Sequence, residues 1–194
     1  MTIENHLMPP GKNRDQRPIH DLRSIVMHWV ENPNTGIDHT RNWFIRGEVF
    51  GSYHYIIDIQ GRVGRIIPEN ERAFHCGSRV YEPRATKLFG ADVIRAMTTN
   101  NFSLGIGLCH PDWTGKFTRE TIISALKLCA DILYRHNKSE GIISTHYEIT
   151  GKNCPRYWQN NHAKFEAFVK SVGQILAKKR AISLEAEKML AQIL

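Results

Sequence analysis

The stretch His146-Tyr147-Glu148-Ile149-Thr150-Gly151-Lys152-Asn153-Cys154-Pro155-Arg156 is the most informative in the chain. His146 follows a short β-rich run, residues 141–144. Gly151 lets the backbone double back, so that Cys154, held by Pro155, can approach His146. Imidazole and thiolate are both good zinc ligands. By spacing alone, a His-x7-Cys pair is more often two unrelated loop residues. A third ligand must come from elsewhere, and His28, near the end of its own short strand, is the best-placed candidate. Three protein ligands with an open fourth position define a catalytic zinc site rather than a structural one.

Working outward, residues 24–30 (SIVMHWV) read as a strand and residues 40–46 as a weak helix ending at Gly47. Residues 53–58 and 63–67 form a hairpin signal around the turn Gln60-Gly61-Arg62. The continuous apolar run 102–109 has the length and character of a central buried strand. Residues 78–100 read as irregular, with one short helix over 91–97. Helical period is clearest over 118–136, with Thr118 as the cap. Residues 161–179 are amphipathic, and 183–194 repeat the pattern after a break. Strands interleaved with helices predict an α/β fold: a single mixed central β-sheet flanked by helices, with a helical C-terminal extension. The expected organisation is an extended lead-in over 1–23, a catalytic domain over 24–160, and a helical segment over 161–194, packed on the domain or forming a small tail.

With 194 residues, the chain is long enough for one domain with a sizeable core. No apolar run approaches the length needed to span a bilayer, and the polar N-terminus lacks the apolar stretch of a signal peptide. Synthesis in a cytoplasm is therefore expected. The formal charge of +7 favours a polyanionic partner: nucleic acid, an acidic membrane or an anionic wall polymer. The basic residues are dispersed and form no nucleic-acid motif, so nucleic acid is not the expected partner. Cys109 and Cys129 sit in apolar patterns and read as small buried groups.

Five ordered segments turn these fragments into a resemblance. They are IVMHW, SYHYIID with its glycine turn, AFHCG, NNFSLGIGLC and HYEITGKNCPR. Together they resemble the type-2 N-acetylmuramoyl-L-alanine amidases, zinc amidases of phage endolysins and bacterial autolysins, whose fold the peptidoglycan recognition proteins share. The resemblance covers roughly residues 20–160. It implies zinc held by His28, His146 and Cys154, and Lys152 as the partner of the oxyanion formed when the amide is attacked. Tyr53 matches the tyrosine that positions the zinc water, and His75 matches a histidine beside the substrate groove. The implied reaction is hydrolysis of the bond between N-acetylmuramic acid and L-alanine in peptidoglycan. The implied setting is a phage lysis enzyme that reaches the wall once the membrane is breached.

Other residues have roles argued from their neighbours. Trp29 is expected to line the groove and stack on sugar or peptide. His54 faces away from Tyr53 on a strand and reads as a core or supporting histidine rather than a ligand. Glu148 is placed to hydrogen-bond a ligand histidine. Cys76 stands where relatives carry alanine and is not counted as a ligand. His110 reads as part of a surface turn. Arg79 and Arg84 are candidates to contact the stem peptide. The C-terminal helices, with Lys178-Lys179-Arg180, are candidates for wall binding or self-association.

Overall fold

The computed structural model describes residues 1–96 and 98–193. Its centre is a parallel pair of wholly buried strands, β2 (Ser24–Trp29) and β5 (Ser103–Leu108). They align along their full length, with Ser24 opposite Ser103 and His28 opposite Gly107. On the far side of β5 lie β3 (Tyr55–Ile57), parallel to it, and β4 (Val63–Arg65), antiparallel to β3. β6 (Ile143–Thr145) flanks β2, and β1 (Ile3–Asn5) closes the opposite edge against β4. The six strands run in the order β1-β4-β3-β5-β2-β6. Because both faces of this mixed sheet are covered, every residue of its two central strands is buried, the polar Ser24, His28 and Ser103 included.

The period of two along each strand divides two environments. Ile25, Met27 and Trp29 of β2 and Leu104, Ile106 and Leu108 of β5 pack toward α4 (Arg119–Arg135) and α7 (His162–Ile193). Thr118 caps α4, accepting from the Thr121 backbone N–H at 3.1 Å. On the other face lie α1 (Ile37–Arg46), α2 (Pro83–Phe89), α3 (Ala91–Ala96) and α5 (His146–Thr150). The short α6 (Arg156–Asn160) leads into α7. Val26 and His28 of β2, and Gly105 and Gly107 of β5, point to this second face.

Four expectations change. The lead-in is not loose: β1 is a sheet strand, and buried Asn13 donates to the carbonyls of Phe44 and Val49 while accepting from Gly51 N–H. Tyr53 and His54 precede β3 instead of belonging to it. Residues 83–89, read as irregular, form a helix; Pro83 occupies its first position, where the missing N–H costs nothing. The C-terminal segment is one helix without a break. Phe165, Phe168, Val172 and Leu176 bury one side of α7, while Ile182, Met189 and Ile193 farther along it are exposed. Met97 and Leu194, which end two of the expected helices, lie outside the described residues. No described helix is long and apolar enough to cross a membrane.

Candidate active site

Chain reversal after β6 builds half of the site. Thr145 accepts from the Glu148 backbone N–H while the Glu148 carboxylate accepts from Thr145 N–H, a capping box that starts α5 at His146. Gly151 ends the helix at φ 76°, in the left-handed region that suits glycine. The returning chain is fixed by Tyr147 N–H donating to the Cys154 carbonyl at 2.9 Å. His146 and Cys154 are thereby brought beside His28, at the end of β2.

The three side chains form one cluster, with donor atoms all within 4.8 Å of one another. Cys154 Sγ lies 3.7 Å from His28 Nδ1, and the His28 and His146 rings are 4.7 Å apart. Ordinary zinc–nitrogen and zinc–sulfur bond lengths put tetrahedral ligand atoms roughly 3.3–3.7 Å apart, so the set closes on an ion with small movements. His146 Nδ1 is buried without a hydrogen-bond partner among the described residues, and a bound metal ion would satisfy it. These residues fit zinc.

Electrostatics agree with ligation. Burial, then the neighbouring charges of His146, His75 and Lys152, holds His28 well below the ordinary imidazole pKa. Burial and then Lys152 bring His146 down to about 4. Both imidazoles are therefore neutral near pH 7 and keep a lone pair. Burial pushes the Cys154 thiol up to about 12, although the Trp29 backbone N–H and Lys152 act the other way. A divalent cation against the sulfur would reverse that balance.

Two glycines on β5 make room around the cluster. A Cβ at Gly105 would fall 2.5 Å from His75 Cγ, and one at Gly107 would fall 2.6 Å from Tyr53 Cδ2. Tyr53 therefore lies against bare backbone, its ring 4.9 Å from that of His28. Burial, then Cys154, raises its phenol well above the ordinary value, so it remains a donor. Lys152 lines the same groove, and its Nζ is 3.2 Å from Glu31 Oε2. The groove encloses about 600 Å³, with His28 and His146 at its floor and Trp43, Phe44, Phe50 and Phe74 along its apolar side.

Several expected site residues are elsewhere. Trp29 is 4% exposed and stacks on His110 in the α4-side core, because adjacent strand residues point to opposite faces. It does not line the groove. Glu148 caps α5, its carboxylate taken by the backbone N–H and hydroxyl of Thr145, and it makes no hydrogen bond to a ligand histidine among the described residues. His54 is a core histidine: Nδ1 accepts from Gly105 N–H and Nε2 donates to the Glu71 carbonyl. His75 touches the groove, yet both ring nitrogens are engaged inside the protein, with His28 and with Ser103. His110 is fully buried rather than on a surface turn. Arg84 donates to the Gly141 and Ile143 carbonyls beside β6, so its guanidinium holds α2 to the sheet. Sequence reading missed Gly105, Gly107 and Glu31. Glycine inside an apolar strand was the available signal, since it marks close approach by another group.

Residues 16–157 match the family model described as N-acetylmuramoyl-L-alanine amidase. The chain belongs to that family. A relative in Bacillus licheniformis, named as a probable N-acetylmuramoyl-L-alanine amidase, is 30% identical over 168 residues, covering 81% of this chain and 43% of its own length. The amidase BlyA of Bacillus subtilis (strain 168) is 27% identical over 166 residues, covering 84% of this chain and 45% of its own. The chain thus spans less than half the length of the curated relatives it matches. Among solved structures, the catalytic domain of XlyA has TM-score 0.67 at 20% identity, covering 89% of this chain and 100% of that one. PlyL has TM-score 0.69 at 19% identity, covering 89% and 97%. At such identity the two structures establish a shared fold, the mixed sheet with flanking helices described above.

Proposed function

We propose that this chain is a zinc-dependent N-acetylmuramoyl-L-alanine amidase of the endolysin type, acting on bacterial peptidoglycan. The observation that carries the reading is the cluster of His28, His146 and Cys154 at the floor of an aromatic-sided groove, with Lys152 at its rim. A zinc ion held by the three residues supplies Lewis acidity toward water and toward a carbonyl oxygen.

The chain's own groups do the rest. Trp43, Phe50 and Phe74 offer flat apolar faces on which a sugar ring or peptide can lie, fixing the amide over the cluster. Lys152 presents a positive charge where the scissile oxygen gains negative charge, and must exchange its partner Glu31 for that oxygen. Tyr53 donates from its phenol to an oxygen at the reacting centre. The amidase names of the relatives, including the probable N-acetylmuramoyl-L-alanine amidase of Bacillus licheniformis, support the choice of bond. The lytic setting, action on the wall after the membrane is breached, is part of the same reading.

Mass spectrometry of peptidoglycan digested by wild type and by Cys154→Ser tests it. The expected products are muramic acid with a free lactyl carboxyl and peptides with free N-terminal alanine, formed by wild type alone. Chelation should abolish them and zinc restore them. Cleavage within the stem peptide would replace the amidase with a peptidase, and an uncut wall would overturn the reading.

A further inference from the structure

His75 is a buried titratable group that the reading above leaves without work, and its contacts form an ordered chain. His28 Nε2 is 3.1 Å from His75 Nδ1. His75 Nε2 is 3.3 Å from the Ser103 carbonyl oxygen. The Ser103 hydroxyl is also 3.3 Å away, but its proton is directed to the Thr99 carbonyl at 2.8 Å. His75 Nε2 therefore faces acceptors only and must carry the hydrogen. A neutral His75 then has its lone pair at Nδ1. That lone pair requires the hydrogen of His28 at Nε2, which leaves the His28 Nδ1 lone pair directed at Cys154 Sγ.

We propose that His75 is a positioning residue: it reads the Ser103 carbonyl and fixes His28 in the Nε2–H tautomer, presenting Nδ1 to the metal. This rests on the zinc reading above. The surroundings hold the relay rigid. Asn100 Oδ1 accepts from the backbone N–H groups of both His75 and Cys76, at 3.0 and 2.9 Å. Gly105 leaves the gap that the His75 ring fills. The two ring planes lie 88° apart, an angle that an N–H donor directed at an in-plane lone pair allows, because rotation about the hydrogen-bond axis disturbs neither. His75 is not a fourth ligand, because its nearest ring nitrogen addresses Nε2 of His28, the atom that points away from the cluster.

The test combines tautomer and affinity. Long-range ¹H–¹⁵N NMR of the zinc-free protein reports which nitrogen of His28 is protonated, and competition with a chromophoric chelator gives the zinc affinity. Wild type should show the Nε2–H form. His75→Leu fills the space but removes the acceptor; it should mix the tautomers and weaken zinc about 10–100-fold. His75→Asn, whose Oδ1 can accept in place of Nδ1, should recover most of both. His75→Leu with an unchanged tautomer and unchanged affinity would overturn the proposal. So would His75→Asn as impaired as His75→Leu, since packing alone would then explain the loss. A wild type that binds no zinc would overturn the metal reading and with it this inference. Tautomers indifferent to residue 75, in a wild type that binds zinc, would overturn this inference alone.

Discussion

Gly107 and Tyr53 occupy one space: a Cβ at Gly107 would fall 2.6 Å from Tyr53 Cδ2 and 2.8 Å from Cε2. The obstructing atoms belong to the body of the ring, so relief requires the whole phenol to move. Gly107→Ala is therefore expected to cost about 1–3 kcal/mol of stability by overpacking. Turnover should fall about 10–100-fold, as for other small misplacements at a reacting centre, while zinc affinity stays near wild type. Wild-type turnover in a folded Gly107→Ala protein would remove the position of Tyr53 from the mechanism.

Lys152 is half exposed at the groove rim and holds no ligand in place. Lys152→Ala should keep its zinc, measured by metal analysis of the purified protein. Its kcat should fall about 100–1000-fold, the usual loss for one donor to a developing oxyanion. Glu31→Gln frees the lysine without removing it and should change kcat far less. Full activity in Lys152→Ala would end its assignment.

Acid sensitivity should concentrate at Glu69, on the α4 side of the sheet. Burial pushes its carboxyl up, but hydrogen bonds from Arg135, Tyr55 and His136 outweigh burial and hold it at about 2, against an ordinary 4.5. A depressed carboxylate stabilises the fold above its unfolded pKa. That contribution disappears as pH falls from about 4.5 toward 2, where both states become protonated. With Arg135 partly solvated, it amounts to about 2 kcal/mol at neutral pH. Glu69→Gln should lower Tm at pH 7 and converge on wild type near pH 2. A constant Tm gap across that window would place the loss in packing rather than ionisation.

Asn13 joins the N-terminal segment to the groove. It is buried and serves the carbonyls of Phe44 and Val49 and the N–H of Gly51, all beside the loop that carries Phe50. Asn13→Ala leaves those groups unpaired and should cost about 1–3 kcal/mol, or about 2–4 °C of Tm per kcal/mol. Because the loop loosens, KM for peptidoglycan should rise more than kcat falls. An unchanged Tm would show that water replaces the side chain.

The sequence by itself determined the class of fold, the central strand, the long helix after Thr118 and the identity of the three clustered side chains. The first three depend on local pattern: strands alternating with helices, an unbroken apolar run, a 3.6-residue period and a cap; the three side chains rest on the resemblance that the ordered segments carry. The ordered segments that placed His28 with His146 and Cys154 needed no coordinates either. Only the tertiary structure decided which way side chains face and what meets them across the sheet. Trp29 neighbours His28 in sequence, yet strand alternation sends it to the opposite core. Glu148 sits close to His146, but its carboxylate is taken by the start of α5. Gly105 and Gly107 draw their meaning from His75 and Tyr53, which come from a separate segment of chain. The direction of the His28 lone pair depends on Ser103, far away in sequence and adjacent only once β5 lies beside β2.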